Sequence, residues 1–242
     1  MTELHISISA QPIFTLGGFE FTNSMLVSLI VSFILILVGY RFSKLIKRRK
    51  KTGFVLFIQT ILESLYEFVS SITPHQAGKF FPLIASIFLF VLLSNWAGLL
   101  PGAETIGLLK DGYHIPLFRG GTADLNSTLG IALFAVFMIQ VEGYRSLGAK
   151  YFKKFFDLSN PMNLFVSFLE LISEISKIMS FAFRLFGNIF AGEVLLAVIA
   201  FLFPLFLPLP FIGMEIFVGF IQALVFATLT LVFINIATTS HH

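Results

Sequence analysis

"SFAFRLFGNIF", residues 180–190, lies inside an apolar run from Met162 to Phe203. As a helix at 1.5 Å per residue that run is about 63 Å long. A bilayer's hydrocarbon layer is about 30 Å thick, so a helix of this length is either strongly tilted or broken. Its far end is marked by "FPLFLPLPF" (203–211), where Pro204, Pro208 and Pro210 each remove a backbone donor. Near its middle stands Arg184 among apolar neighbours. A charge at bilayer depth costs at least ~2.5 to 3.5 kcal/mol, so Arg184 needs a reason to be there.

Composition extends this reading to the whole chain. Of 242 residues, 57% are hydrophobic, 12% are charged and 32 are phenylalanine, and the mean hydropathy is +0.92. That exceeds what a soluble core of this size requires, and the expectation is an all-α integral membrane protein. The net charge of +3 does not point to nucleic acid, because the positive residues gather beside apolar segments and form no face interleaved with aromatics. The absence of cysteine excludes disulfides and thiolate metal sites. The first apolar run follows a leader carrying Glu3 and Glu20 and precedes "RFSKLIKRRKK" (41–51), the reverse of a cleavable secretory signal.

Four further stretches are long and apolar enough to cross or nearly cross: residues 25–40, 80–100, 125–144 and 211–238. With the long segment at 162–203 this gives about five crossing helices in a single membrane domain spanning 1–242, the last two long and tilted. Residues 54–73 read differently. Gln59, Glu63, Glu67 and Ser70 make a polar stripe opposite Phe57, Ile58, Ile61, Leu65, Phe68 and Ile72, as in an amphipathic helix lying in the membrane interface and stopping at Pro74. A helix packed against a partner subunit is the competing reading.

Positive charge sets the orientation. Arg41, Lys44, Lys47, Arg48, Arg49, Lys50, Lys51 and Lys79 fall between the first two crossings, and Arg145, Lys150, Lys153 and Lys154 follow the third. The loop from Pro101 to Asp124 has only Lys110 and Arg119. The positive-inside rule then puts residues 1–24 outside and the carboxyl terminus in the cytoplasm.

Helical arithmetic sorts the buried polar residues. Glu170, Glu174, Lys177, Arg184 and Asn188 share one face within a stripe of about 80°. Glu170 and Glu174 lie about 21 and 15 Å to the cytoplasmic side of Arg184, and Glu193 about 13.5 Å to the outside on the opposite face. In the antiparallel last helix Glu215 and Gln222 share a face, with Glu215 about 10 Å nearer the outside. With Gln222 level with Arg184, Glu193 and Glu215 fall at similar depth. Two polar routes emerge, one from outside and one from the cytoplasm, with Arg184 between them. A plainer account lets Lys177 pair with Glu170, Glu174 or both, and places Glu170 near enough to the cytoplasmic interface to be hydrated. It serves Arg184 poorly, because the nearest acids on its own helix are too distant. A cation without an acid in its own chain implies a carboxylate supplied by another. Gly187, Ala191 and Gly192 fit either ordinary packing or the close approach of another helix.

The sequence "FRLFGNIFAGE", together with the glutamine of "VGFIQALVFATLTLVF", closely resembles subunit a of the F-type ATP synthase, the membrane stator beside a rotating ring. "SNWAGLLPG" (94–102), "TADLNSTLGIAL" (122–133) and "LELISEISKIMS" extend the resemblance over about Gly53 to Thr238. It implies that Arg184 is the essential arginine, with Asn188, Glu193 and Gln222 as companions and Glu215 where some members carry histidine. Gly98 stands where some relatives carry aspartate, so no polar function is assigned to it. The resemblance also implies a c-subunit ring, peripheral-stalk b-type subunits and a bacterial cytoplasmic (inner) membrane. The function expected from it is proton flow through two offset half-channels, coupled to ATP synthesis, with Glu170 and Glu174 on the cytoplasmic side.

No GxxxxGK phosphate loop and no Ser/His/Asp set is present, so no ATP chemistry, cofactor or metal is assigned to this chain. His5, His75 and His114 are scattered, and His241 and His242 end the chain. "NST" (126–128) fits a glycosylation sequon but opens a membrane helix. A secondary ion-coupled transporter is the main alternative. It predicts an internal repeat, and none is visible. An assembly scaffold leaves the acids on both sides of Arg184 unexplained.

Overall fold

The computed structural model describes residues 10–16, 19–50, 52–100, 107–110, 113–116, 119–155, 160–203 and 206–239. Glu3, His5, Lys51, Pro204, His241 and His242 lie outside the described residues, as do the side chains of Lys110, His114 and Lys153. In chain order the elements are β1 (Pro12–Leu16), β2 (Phe19–Thr22), α1 (Asn23–Lys47), α2 (Gly53–Ile72), α3 (Ala77–Ala97), β3 (Gly107–Lys110), β4 (Tyr113–Pro116), α4 (Leu125–Leu147), a 3-10 turn over Gly148–Lys154, α5 (Pro161–Leu202) and α6 (Pro208–Thr238). Helices account for nearly all of it, as expected of an all-α membrane protein.

The helix ends follow local chemistry. Thr22 accepts the Met25 amide at 3.4 Å and Asp124 accepts the Asn126 amide at 3.4 Å, so α1 and α4 each begin at a side-chain cap. α1 continues past Tyr40 through "RFSKLIK", because lysine and arginine are good helix formers and Lys44 and Lys47 complement the dipole in the last turn. α2 stops where the Thr73 amide and hydroxyl both bond the Val69 carbonyl, just before Pro74.

α5 is unbroken over 42 residues and carries Pro161 in its first turn. Of the two expectations for the long segment, a break is therefore excluded. Pro208 and Pro210 correct a second expectation. They do not terminate α5 but occupy the first turn of α6, which begins at Pro208 rather than Phe211. A missing N–H is harmless there, since the first-turn amides of a helix have no intrahelical acceptor.

The two antiparallel hairpins, β1 with β2 and β3 with β4, have no counterpart in the helix-only reading. Strands of four or five residues are too short for an alternating pattern to register. The pairs Gly17–Gly18 and Asp111–Gly112 between them are the hairpin signal that composition conceals.

The core lies among α3, α4, α5 and α6. Phe80, Phe88, Val91, Ile139, Leu185 and Leu231 are buried in it, and the Phe181 and Phe226 rings meet with centroids 4.9 Å apart. By contrast one flank of α5, including Phe165, Ile172, Phe183 and Phe201, is exposed. Among the described residues six helices are long and apolar enough to cross a membrane, and the chain is an integral membrane protein.

The sixth such helix, α2, was not among the five expected. Its geometry distinguishes it from the rest. Gly121 sits against both Ser28 of α1 and Ser94 of α3, while Ile36 of α1 and Leu83 of α3 line one groove, so the two helices run antiparallel. The end of α1 and the start of α3 therefore lie at the same end of the bundle. α2 is joined to each by only a few residues, so it begins and ends on one side. Its polar stripe stays exposed, with Gln59 donating to Glu63 at 2.7 Å. Its buried residues are Val55 and Val69, and Tyr66 meets Phe81 of α3 edge to face.

Candidate functional site

α5 and α6 meet along a seam of small and polar residues. The Asn188 amide donates to Gln222 Oε1 at 2.7 Å. Gln222 is thus level with Asn188, one turn from Arg184 toward Glu193, and not with Arg184 itself as helical arithmetic from the sequence assumes. That one-turn offset, about 6 Å, moves Glu215 from about 3 Å short of the level of Glu193 to about 3 Å beyond it, so the two stay at similar depth. The Gln222 Nε2 group is buried without a hydrogen-bond acceptor among the described residues. A native interior rarely tolerates that without a reason.

Glu215 is buried, and its carboxyl group lies in the space that a side chain at position 192 would occupy. Gly192 is therefore a seat for the acid. Gly187, by contrast, meets nothing within 4 Å of where its Cβ would be, and Ala191 is exposed, so these two leave a shallow open face. Glu193 and Glu215 both line one cavity of about 360 Å³, bounded also by Asn95, Gly98 and Gly120. It is large and polar enough to hold several waters.

Arg184 is partly exposed on the α5 flank beside Gly187. Its Nη2 donates to the Ser180 hydroxyl at 3.2 Å, and among the described residues it has no ion pair. A serine does not balance a full charge, so the arginine is available to an acid from outside the chain.

At the opposite end of the seam the acids are held. Lys177 reaches Glu174 at 2.9 Å, and Lys154 reaches Glu170 at 3.0 Å and Glu174 at 3.3 Å. Gln140 donates to Glu174 at 2.8 Å and accepts from the Tyr151 hydroxyl at 2.6 Å. This is the pairing that the plainer account of Lys177 foresaw, extended by Gln140 and Tyr151, which the sequence does not point to, and by Lys154, which it points to only as an orienting charge. Burial alone would pull the Lys154 ammonium down, but its bonds to Glu170 and Tyr151 hold it above the usual lysine range. It stays charged at physiological pH.

Two motif segments build one rim of the cavity. Asn95 donates to the Gly219 carbonyl at 2.9 Å and accepts from the Thr122 hydroxyl at 2.7 Å, joining α3, α6 and the approach to α4. Trp96 donates to the Ile216 carbonyl at 3.0 Å. Gly98 contributes closeness and no polar group, since a Cβ there would lie 2.8 Å from the Gly120 backbone. Arg119, counted in the sequence as an ordinary loop cation, is buried and grips Glu193 through Nε at 3.3 Å and Nη2 at 3.1 Å. The two are 74 residues apart, and no periodicity connects them.

The arrangement is therefore a cavity with two acids at one end, an ion-pair network at the other, and between them an arginine on an open face. Residues 24–235 match the ATP synthase A chain family, so the chain belongs to that family and is a membrane-sector subunit of the multi-subunit ATP synthase.

Proposed function

We propose that this chain is the proton-conducting stator of the ATP synthase membrane motor, itself without an ATP site, offering two offset half-channels to a rotating c-subunit ring. The observation that carries the proposal is the guanidinium of Arg184, which has no ion pair among the described residues, beside the open surface at Gly187 and Ala191. A carboxyl group on the ring is costly as a bare charge in lipid, but beside Arg184 its charged form is favoured. The ring carboxyl must release its proton before passing the arginine, and it takes up a new one before returning to lipid. Arginine suits this post better than lysine, which burial deprotonates readily.

Protons from outside reach the ring through the cavity of Glu193 and Glu215 and pass Asn188 and Gln222. They leave past Glu170 and Glu174 on the cytoplasmic side. One charge moved through 100 mV supplies about 2.3 kcal/mol, so each ATP requires several protons. In this reading α2 lies in the cytoplasmic interface, the amino terminus is outside and the carboxyl terminus inside a bacterial cytoplasmic membrane. Peripheral-stalk b-type subunits hold the stator against rotation.

The test is proximity in the intact complex. A Gly187→Cys variant is expected to cross-link to a small two-helix ring subunit carrying a cysteine near its membrane carboxylate. Cross-linking only to lipid or to large subunits would contradict the proposal.

A further inference from the structure

We propose that Arg119 is a positioning residue for proton uptake from outside, fixing the Glu193 carboxylate in one orientation on the wall of the cavity it shares with Glu215. The inference rests on the proton path proposed above and adds to it a residue that the path did not include.

Three observations support the assignment. Arg119 grips both oxygens of Glu193, through Nε to Oε1 at 3.3 Å and Nη2 to Oε2 at 3.1 Å. A forked contact of this kind fixes the plane of the carboxylate as well as its distance. Arg119 is also only 8% exposed, and an arginine buried to that degree needs a fixed anion.

The backbone carrying Arg119 is itself fastened to the rest of the fold. Residues 119–124 are all buried. Gly120 packs on Gly98, Gly121 packs on Ser28, Thr122 bonds Asn95, and the Ser24 hydroxyl donates to Asp124 at 3.2 Å. The strap therefore transmits the position of α1 and α3 to an acid on α5. Gly120 also lines the cavity, so the strap forms part of its wall. The guanidinium stays protonated throughout and carries no proton itself. It offsets the charge of Glu193 and holds its carboxylate against the strap that walls the cavity.

The test uses the intact complex in phospholipid vesicles, with ATP-driven proton pumping as the readout and assembled complex as the reference. Arg119→Gln is expected to lower the pumping rate about tenfold. Arg119→Lys, which keeps the charge but loses the fork, is expected to stay within about threefold of the parent. Because the role acts through Glu193, Arg119→Gln combined with Glu193→Gln is expected to pump no more slowly than Glu193→Gln alone. Unimpaired pumping by Arg119→Gln overturns the assignment, as does a double variant slowed by the product of the two single effects. If Arg119→Gln fails to assemble, Arg119→Lys and the double variant, which leaves no buried charge alone, carry the same comparison. Normal pumping by Glu193→Gln overturns the underlying proton path instead, and the positioning role with it.

Discussion

Glu193 and Glu215 face one cavity but are held differently, Glu193 by the Arg119 fork and Glu215 by the space that Gly192 leaves. Neutralising Glu193 removes a proton acceptor while conserving volume. Glu193→Gln should therefore slow proton uptake from outside roughly 100-fold or more with the complex still assembled, the low end of the range for a lost acid–base group. Proton flux in reconstituted vesicles measures it, and flux equal to the parent would remove Glu193 from the path. The stripe of Glu170, Glu174, Lys177, Arg184 and Asn188 was legible in the sequence because a helix repeats every 3.6 residues, so spacing alone gives a face. The level of Gln222 was not legible. The offset between two helices depends on packing at the seam, and here Asn188 sets it one turn from Arg184. Arg119 was hidden for a similar reason, since its partner lies on another element and a loop has no period.

The seam between α5 and α6 depends on small residues where acids and amides must fit. A methyl group at position 192 collides with the end of the Glu215 side chain, which is flexible enough to move. Gly192→Ala should thus change stability by less than ~1 kcal/mol, yet displace the carboxyl and reduce pumping several-fold. A variant that pumps normally would show that the seat is only packing. Asn95→Ala should act in the opposite sense. It leaves the Gly219 carbonyl and the Thr122 hydroxyl without their partner, a loss of about 1–3 kcal/mol. Thermal denaturation of the purified complex should fall measurably, and an unchanged transition would discount the tie. Among the elements, the long apolar helices were readable from hydropathy. The hairpins were not, and Pro208 was misread because a proline that ends one helix and a proline that starts the next look alike in sequence.

Across the whole molecule, α1 and α3 run antiparallel and the acids of α5 and α6 are divided between its two ends. The cavity of Glu193 and Glu215 lies by the strap at 119–124, the Glu170 and Glu174 network lies by the end of α4, and α5 passes both. Such a shape has a use when something outside the chain connects the two ends without joining them directly. Composition and the positive-charge distribution made the membrane class readable at once, and helical arithmetic gave two polar routes on either side of Arg184, whereas the cavity and the Arg119 and Lys154 pairings needed the packing of four helices. Pumping and coupled synthesis by complexes carrying Arg184→Ala test the central claim most directly. Complexes assembled to near-parent levels with coupled ATP synthesis and ATP-driven pumping abolished are the predicted result, and near-parent coupled synthesis in that variant would contradict it.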